Sequence, residues 1–246
     1  MRIGIVGGTG LAAWEGEAVA VETPYGPVSA QVGKVAGREV WFVPRHGPGH
    51  RVPPHRIAYK ANVDALARAG CARVVAVNTV GSLRASLRPG SLAVARDYVD
   101  LSGRASTFYD DEVVHLDQSE PYCPEVRAAL HAAVPGAPDV VYACTQGPRL
   151  ETPAEIRMLQ GVADVVGMTG YPEVALARER GLCYGALCMV SNLAAGLQER
   201  LTAREVAEAS RAAAEAVRAA VGAAVAALPE VRGCSCAHAL RDARLA

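Results

Sequence analysis

RIGIVGGTGLAAWEGEAVAVE, residues 2–22, decides the fold, because it invites one architecture and then withholds it. A β-branched run, RIGIV (2–6), leads into GTGLAA (8–13), which fits the G-x-G-x-x-A fingerprint of a dinucleotide-binding turn. That reading needs a unit of about 30 residues, with a helix of several turns after the glycines and an acidic residue about 20 positions on. Here Gly16 and the strand-like AVAVE (18–22) follow at once and leave no room for the helix. The glycines therefore read as a strand-end loop whose bare N–H groups face an anion, with the Thr9 hydroxyl as an added donor. A purely structural turn is the plain alternative.

The rest of the chain alternates in the same way. Strands are expected at 39–44, 73–78, 92–101, 140–145, 164–168 and 182–190, several of them apolar almost throughout, as suits strands covered on both faces. Helical patterns run over 55–69, 124–134, 153–161 and 172–180, three of them starting at or just after proline and two stopped by glycine. TARE (202–205) is a capping box opening a last helix, whose Val206, Ala213, Val217, Val221, Ala224 and Leu228 share one face. The pattern predicts an α/β fold: one domain over 1–232, a mixed, mainly parallel sheet flanked by helices, and a short tail over 233–246.

The 25 basic and 25 acidic side chains cancel, so there is no electrostatic footprint for nucleic acid or an anionic membrane. The longest apolar stretch, 219–228, is half a membrane span. Seven cysteines, five of them scattered through apolar segments, fit a reducing cytoplasm. A small molecule or another subunit is the expected partner.

Two more strand ends carry anion chemistry. PRHGPGH (44–50) offers the planar fork of Arg45 with His46 and His50 beside it, and NTVGS (78–82) ends a strand in a polar pair and a Val-Gly turn. An arginine at a strand end is more often a solvated surface charge; three such ends together point to one shared pocket at the sheet edge.

GGTGL (7–11), PRHGPGH (44–50), NTVGSL (78–83), GPRLET (147–152), GMTGYPEVALARE (167–179) and VSN (190–192) stand in the order and spacing of a known family. From residue 3 to about 228 the chain resembles the trimeric purine nucleoside phosphorylases, most of all the 5′-methylthioadenosine phosphorylases and their 5′-methylthioinosine-cleaving relatives. The resemblance implies the nucleoside phosphorylase fold and phosphorolysis: phosphate, as co-substrate, attacks the anomeric carbon and frees the purine, with no metal or organic cofactor. It implies that Thr9, Arg45, His46 and Thr169 hold phosphate, with backbone N–H groups near Thr79. Met168 would lie under the sugar, Asn78 between sugar and phosphate, and His50 beside them.

The same resemblance places Asn192 at the purine. The adenosine-type branch has aspartate there, whereas an asparagine accepts from N7–H and donates to O6 of a departing 6-oxopurine. Glu151 stands where the 6-oxopurine branch has glutamate, able to accept the proton on N1. The plain alternatives are a turn asparagine bonding its own backbone and a helix-start acid. Inosine-cleaving members bind the 5′-hydroxyl with a later histidine, yet 193–237 holds none and Val206 stands in that region. An apolar lining suits a 5′-methylthio group, since an unpaired buried hydroxyl costs about 1–3 kcal/mol.

The expected substrate is thus 5′-methylthioinosine, with inosine and guanosine as further candidates and 5′-methylthioadenosine phosphorylase as the rival within the family. His115 matches a histidine that in the methylthio branch reaches a neighbour's site, implying a homotrimer, with pairing of trimers open; a surface-loop histidine is the alternative. Cys234, Cys236 and His238 are three potential zinc ligands that lack a fourth, and a Cys-x-Cys tail in thermophilic members is linked to redox stability, so no metal is expected. A nicotinamide enzyme and a non-catalytic nucleoside-binding protein are the readings from other classes.

Overall fold

The computed structural model describes residues 1–244. The strands are β1 (Arg2–Gly7), β2 (Glu17–Val21), β3 (Val28–Val35), β4 (Arg38–Pro44), β5 (Cys71–Ser82), β6 (Leu92–Asp100), β7 (Asp139–Cys144), β8 (Val165–Gly167) and β9 (Cys183–Leu193). The helices are α1 (Tyr59–Arg68), α2 (Pro124–Ala133), α3 (Pro153–Leu159), α4 (Glu173–Glu179) and α5 (Ala203–Ala227). The strands form one sheet in the order β2-β3-β4-β1-β5-β8-β7-β6-β9, and β9 also pairs with β5. That last pairing closes β5, β8, β7, β6 and β9 into a ring, from which β1 and β4 extend.

The pairings are mixed. β1 runs parallel to both β4 and β5, β5 to β9, and β7 to β6 and β8. β2, β3 and β4 form an antiparallel meander, and β5–β8 and β6–β9 are antiparallel. β3 has no counterpart in the sequence reading: its burial alternates only weakly and Gly33 and Lys34 interrupt it. The helix expected from residue 55 begins at Tyr59, after a separate 3₁₀ turn over Pro54–Arg56.

The core lies on both faces of β5 and β9. Ile3, Ile5, Phe42, Val75, Val77 and Leu187 pack under α2 and α5, while Val74, Ala76 and Tyr184 pack on the side of α1 and α4. Each large side chain withdrawn in this way contributes about 1.5–3 kcal/mol. The capping box at Thr202 and Glu205 forms as the sequence implies. Val217, Val221 and Ala224 are buried, whereas the first turns of α5, including Val206, are half-buried or exposed up to Ser210. Nor is the tail detached: Ser235–His238 forms a 3₁₀ turn with Cys236 buried.

One ion pair crosses the core. Arg45, just past β4, places Nε and one terminal nitrogen 2.7 Å from the two carboxylate oxygens of Glu173 on α4, and its other terminal nitrogen donates to the Val77 carbonyl. Tyr184 of β9 donates to the same carboxylate. Both ionic side chains are fully buried. Burial opposes the charged guanidinium, and the Glu173 carboxylate more than offsets this, so Arg45 stays charged.

Removing either partner strands a buried charge. Arg45→Met or Glu173→Leu alone is expected to cost about 3–5 kcal/mol, and the double variant distinctly less than the two singles combined. Thermal unfolding followed by circular dichroism measures this; additive losses would show that the pair does not act as a unit.

Candidate active site

The carboxyl ends of β1, β4, β5, β7, β8 and β9 meet around a cavity of about 250 Å³, the usual place for a ligand in an α/β sheet. Thr9, His46, Thr79 and Thr169 line it, as do Met168, Glu151, Asn192 and Val206. Of the residues singled out in the sequence, the structure therefore gathers eight around one space. Arg45 and Asn78 lie buried behind the wall, and His50 stands beside it.

Thr9 sits in the turn after β1, which Gly7 permits: a Cβ there would come within 2.0 Å of the Leu11 carbonyl. The Arg45 N–H donates to the Gly7 carbonyl, so the same residue pins this turn from below. Arg45 spends three of its five N–H groups on the protein, leaving two. Asn78 donates to the Thr169 hydroxyl at 3.1 Å, while its Oδ1 and the Thr79 hydroxyl are buried with no partner. Unpartnered buried oxygens are rare in a finished core, and Thr79 is among the residues that line the cavity.

His46 faces His50 with ring centroids 4.3 Å apart, and the Thr9 hydroxyl lies 3.5 Å from His50 Nε2. The Val52 carbonyl accepts from His46 Nδ1 at 2.8 Å, so in the neutral ring Nε2 is left as an acceptor. Burial, helped by the charge of Arg45 and the neighbouring His50, pushes His46 down to about 4; burial lowers His50 as well.

At the other end, the pairing of β5 with β9 slips by one residue: Val80 faces Val190, but Gly81 faces Asn192. The bulge breaks the alternation of sides, and so both Ser191 and Asn192 line the cavity. Asn192 Nδ2 donates to the Leu193 carbonyl and Oδ1 accepts from the Ser191 hydroxyl. The local bonding expected of a turn asparagine is thus present, and one N–H and one lone pair remain. Glu151 Oε1 accepts from Thr145. It plays no part in capping α3, a task that Thr152 and Glu155 perform.

The loop after β8 is built on a tyrosine. The Tyr142 hydroxyl oxygen accepts the N–H groups of Thr169 and Gly170, both at 3.2 Å, and a Cβ on Gly167 would lie 2.2 Å from that oxygen. Arg104 donates to the carbonyls of Met168 and Tyr171 and to that of Gln146, tying this loop to the one that carries Glu151. Arg104, Tyr142, Glu173 and Ser191 were not singled out in the sequence. Only Glu173 left a trace there, as an acid inside an apolar helical pattern. Leu201, Ala203 and Val206, from the start of α5, give the cavity an apolar stretch.

His115 lies elsewhere, in a depression with Asp117, Arg178 and His238, where its N–H donates to the Ala243 carbonyl of the tail.

The description "Phosphorylase superfamily" belongs to the family model that matches residues 2–226. A probable S-methyl-5′-thioinosine phosphorylase of Methanothermobacter thermautotrophicus is 45% identical over 98% of this chain and 89% of its own length. The 6-oxopurine nucleoside phosphorylase of Pyrococcus furiosus is 42% identical over 98% of both chains. Methylthioadenosine phosphorylase of Schistosoma mansoni, solved with adenine, superposes with a TM-score of 0.92 at 28% identity, over 99% of this chain and 98% of that one. A sheet closed at β5 and β9, a cavity at its strand ends and near full-length matches agree, and the chain belongs to the phosphorylase superfamily.

Proposed function

We propose that the protein is a purine nucleoside phosphorylase for 6-oxopurine nucleosides, 5′-methylthioinosine foremost. The observation that carries this is that Glu151, on the loop after β7, and Asn192, near the end of β9, line one cavity with three threonines and His46. The relatives from M. thermautotrophicus and P. furiosus bear names of this class.

The reaction breaks the glycosidic C–N bond and forms a C–O bond to phosphate. Charge separates as it does so: the sugar becomes cationic and the purine anionic, so rate comes from an anion held on one side and hydrogen bonds to the base on the other. Thr9, Thr79 and Thr169 donate to phosphate, and neutral His46 accepts the P–OH of hydrogen phosphate at Nε2. Asn78, hydrogen-bonded to Thr169, orients that hydroxyl. Met168 supports the sugar, and Val206 with Leu201 and Ala203 receives the methylthio group. Gly81, beside Asn192, is two residues beyond Thr79 on β5, a separation of about 7 Å from the phosphate end to the base end.

The remaining N–H and lone pair of Asn192 meet O6 and N7–H, and Glu151 Oε2 accepts N1–H. Phosphate is a co-substrate, and no organic cofactor or catalytic metal enters. The same reading carries a homotrimer, suited by the exposed apolar Leu101, Leu150 and Met158 near Glu151, and a cytoplasmic location, consistent with seven free cysteines.

Phosphate-dependent base release from 5′-methylthioinosine, inosine, guanosine and 5′-methylthioadenosine tests the assignment. Hypoxanthine release from 5′-methylthioinosine should lead, and Asn192→Asp should shift preference toward the adenine substrate by about tenfold or more. Faster adenine release by the unaltered protein would instead favour a 5′-methylthioadenosine phosphorylase. Glu151→Gln removes a charge-assisted hydrogen bond and should lower kcat/KM for 6-oxopurines by about tenfold to a hundredfold. An unchanged value would place the carboxylate outside the purine site.

His46 supplies a pH signature. In the unfolded chain it titrates near 6.5, in the folded one near 4, so between these values the unfolded state holds the extra proton. Its contribution is complete above about 6.5 and is lost as pH falls toward 4. Bound phosphate favours the imidazolium and should restore stability in that window. Melting curves from pH 7 to pH 4, with and without phosphate, should show this rescue. His46→Asn should weaken both the acid loss and the rescue; a rescue that survives it would assign the effect to another group.

A further inference from the structure

Four cysteines that the proposed reaction does not use converge at the far end of β9 from the cavity. Cys123 is the residue before α2, Cys183 opens β9, and Cys234 and Cys236 come from the tail. Their sulfurs all lie within 4.8 Å of one another, with Cys234 3.3 Å from Cys183 and 3.6 Å from Cys123. The sequence supplied two of these as a Cys-x-Cys pair without a fourth ligand; the fold brings the other two from 111 and 51 residues away.

We propose that Cys123, Cys183, Cys234 and Cys236 form a tetrathiolate site for a structural zinc ion. With Zn–S bonds of about 2.3 Å, the sulfurs of a tetrahedral site stand about 3.8 Å apart. The separations of Cys234 from Cys183 and Cys123, 3.3 and 3.6 Å, are close to that edge, and none of the six exceeds 4.8 Å. Cys123, Cys183 and Cys236 lie among apolar side chains, a shell that keeps water from a closed site.

The residues around the ligands hold them in place without metal. The Cys123 N–H donates to the Tyr184 carbonyl, next to Cys183. Arg73, paired with Cys183 across β5 and β9, donates to Glu125 and to the Val231 carbonyl. The Gly233 N–H donates to the other oxygen of Glu125, so α2 and the tail are joined immediately before Cys234. Such second contacts orient ligands in metal sites.

Four protein sulfurs leave no open position, which makes the ion structural rather than catalytic. On binding, each thiol loses its proton to solvent and gives a sulfur lone pair to the metal; nothing is oxidised. Asn192 is nine residues further along β9, about 30 Å away. The ion would fasten the tail to the two elements it crosses and touch no substrate.

The test uses the full chain, expressed with zinc in the medium and purified under thiol reductant, with metal content measured by inductively coupled plasma mass spectrometry. One zinc per chain is expected, and replacement by Co²⁺ should give the intense visible and sulfur-to-cobalt charge-transfer bands of a tetrahedral thiolate site. Cys234→Ser/Cys236→Ser should lose both metal and spectrum and melt at lower temperature. Below that melt, its phosphate-dependent base release should match that of the unaltered protein. Should the variant not fold, release of zinc from the unaltered protein by a thiol-blocking mercurial, read with a chromogenic chelator, is the second measure. Reduced protein that carries no zinc and takes up no Co²⁺ overturns the proposal. So does intact protein that has lost four hydrogen masses and retains no reactive thiol among these residues, since its sulfurs would be bonded to one another.

Discussion

The buried pair of Arg45 and Glu173 is the constraint on which the rest depends. Four elements end on it: β4 delivers the arginine, α4 the carboxylate, β5 the Val77 carbonyl and β9 the Tyr184 hydroxyl. Three of the four are followed or flanked by residues of the cavity or its wall. His46 succeeds Arg45, Asn78 and Thr79 succeed Val77, and Thr169 shortly precedes Glu173. Through its own N–H, Arg45 also fixes the turn that presents Thr9. An apolar cluster of similar volume would stabilise the core at least as well, but it would not fix four directions at once.

The strands and helices were legible because their chemistry is local. A β-branched run between turn residues, a proline in a first turn and a capping box carry their meaning within a few positions. β3 escaped because half of it faces solvent beside the Gly33 break. Thr9, His46 and Thr79 could be named because they sit at strand ends, where such sheets bind ligands, whereas Thr169 and the purine role of Asn192 came from the family resemblance. What could not be read was pairing between distant segments. Arg45 looks the same in a sequence whether its fork meets a ligand or a buried carboxylate, and the bulge at Ser191 exists only once β5 lies beside β9. Cys123 and Cys183 read as small apolar side chains for the same reason: nothing near them in the chain announces the tail.

The cavity combines two kinds of wall. Its polar end is rigid: the loop at Met168 and Thr169 hangs on Tyr142 and Arg104, and the turn at Thr9 hangs on Arg45. Supports of this kind keep polar groups in fixed positions, which is what electrostatic catalysis requires of a donor. The apolar end is supported differently, by the first turn of α5, whose Ala203 and Val206 line it.

That geometry gives the capping box at Thr202 a second consequence. A cap contributes about 1 kcal/mol to its helix, and here the capped turn carries Ala203 and Val206, which line the cavity. Loss of that cap would therefore loosen the apolar wall of the cavity together with the helix. A firmer cap would stiffen that wall, so the order of the helix's first turn and the order of this end of the cavity are tied to a single hydrogen-bonded turn.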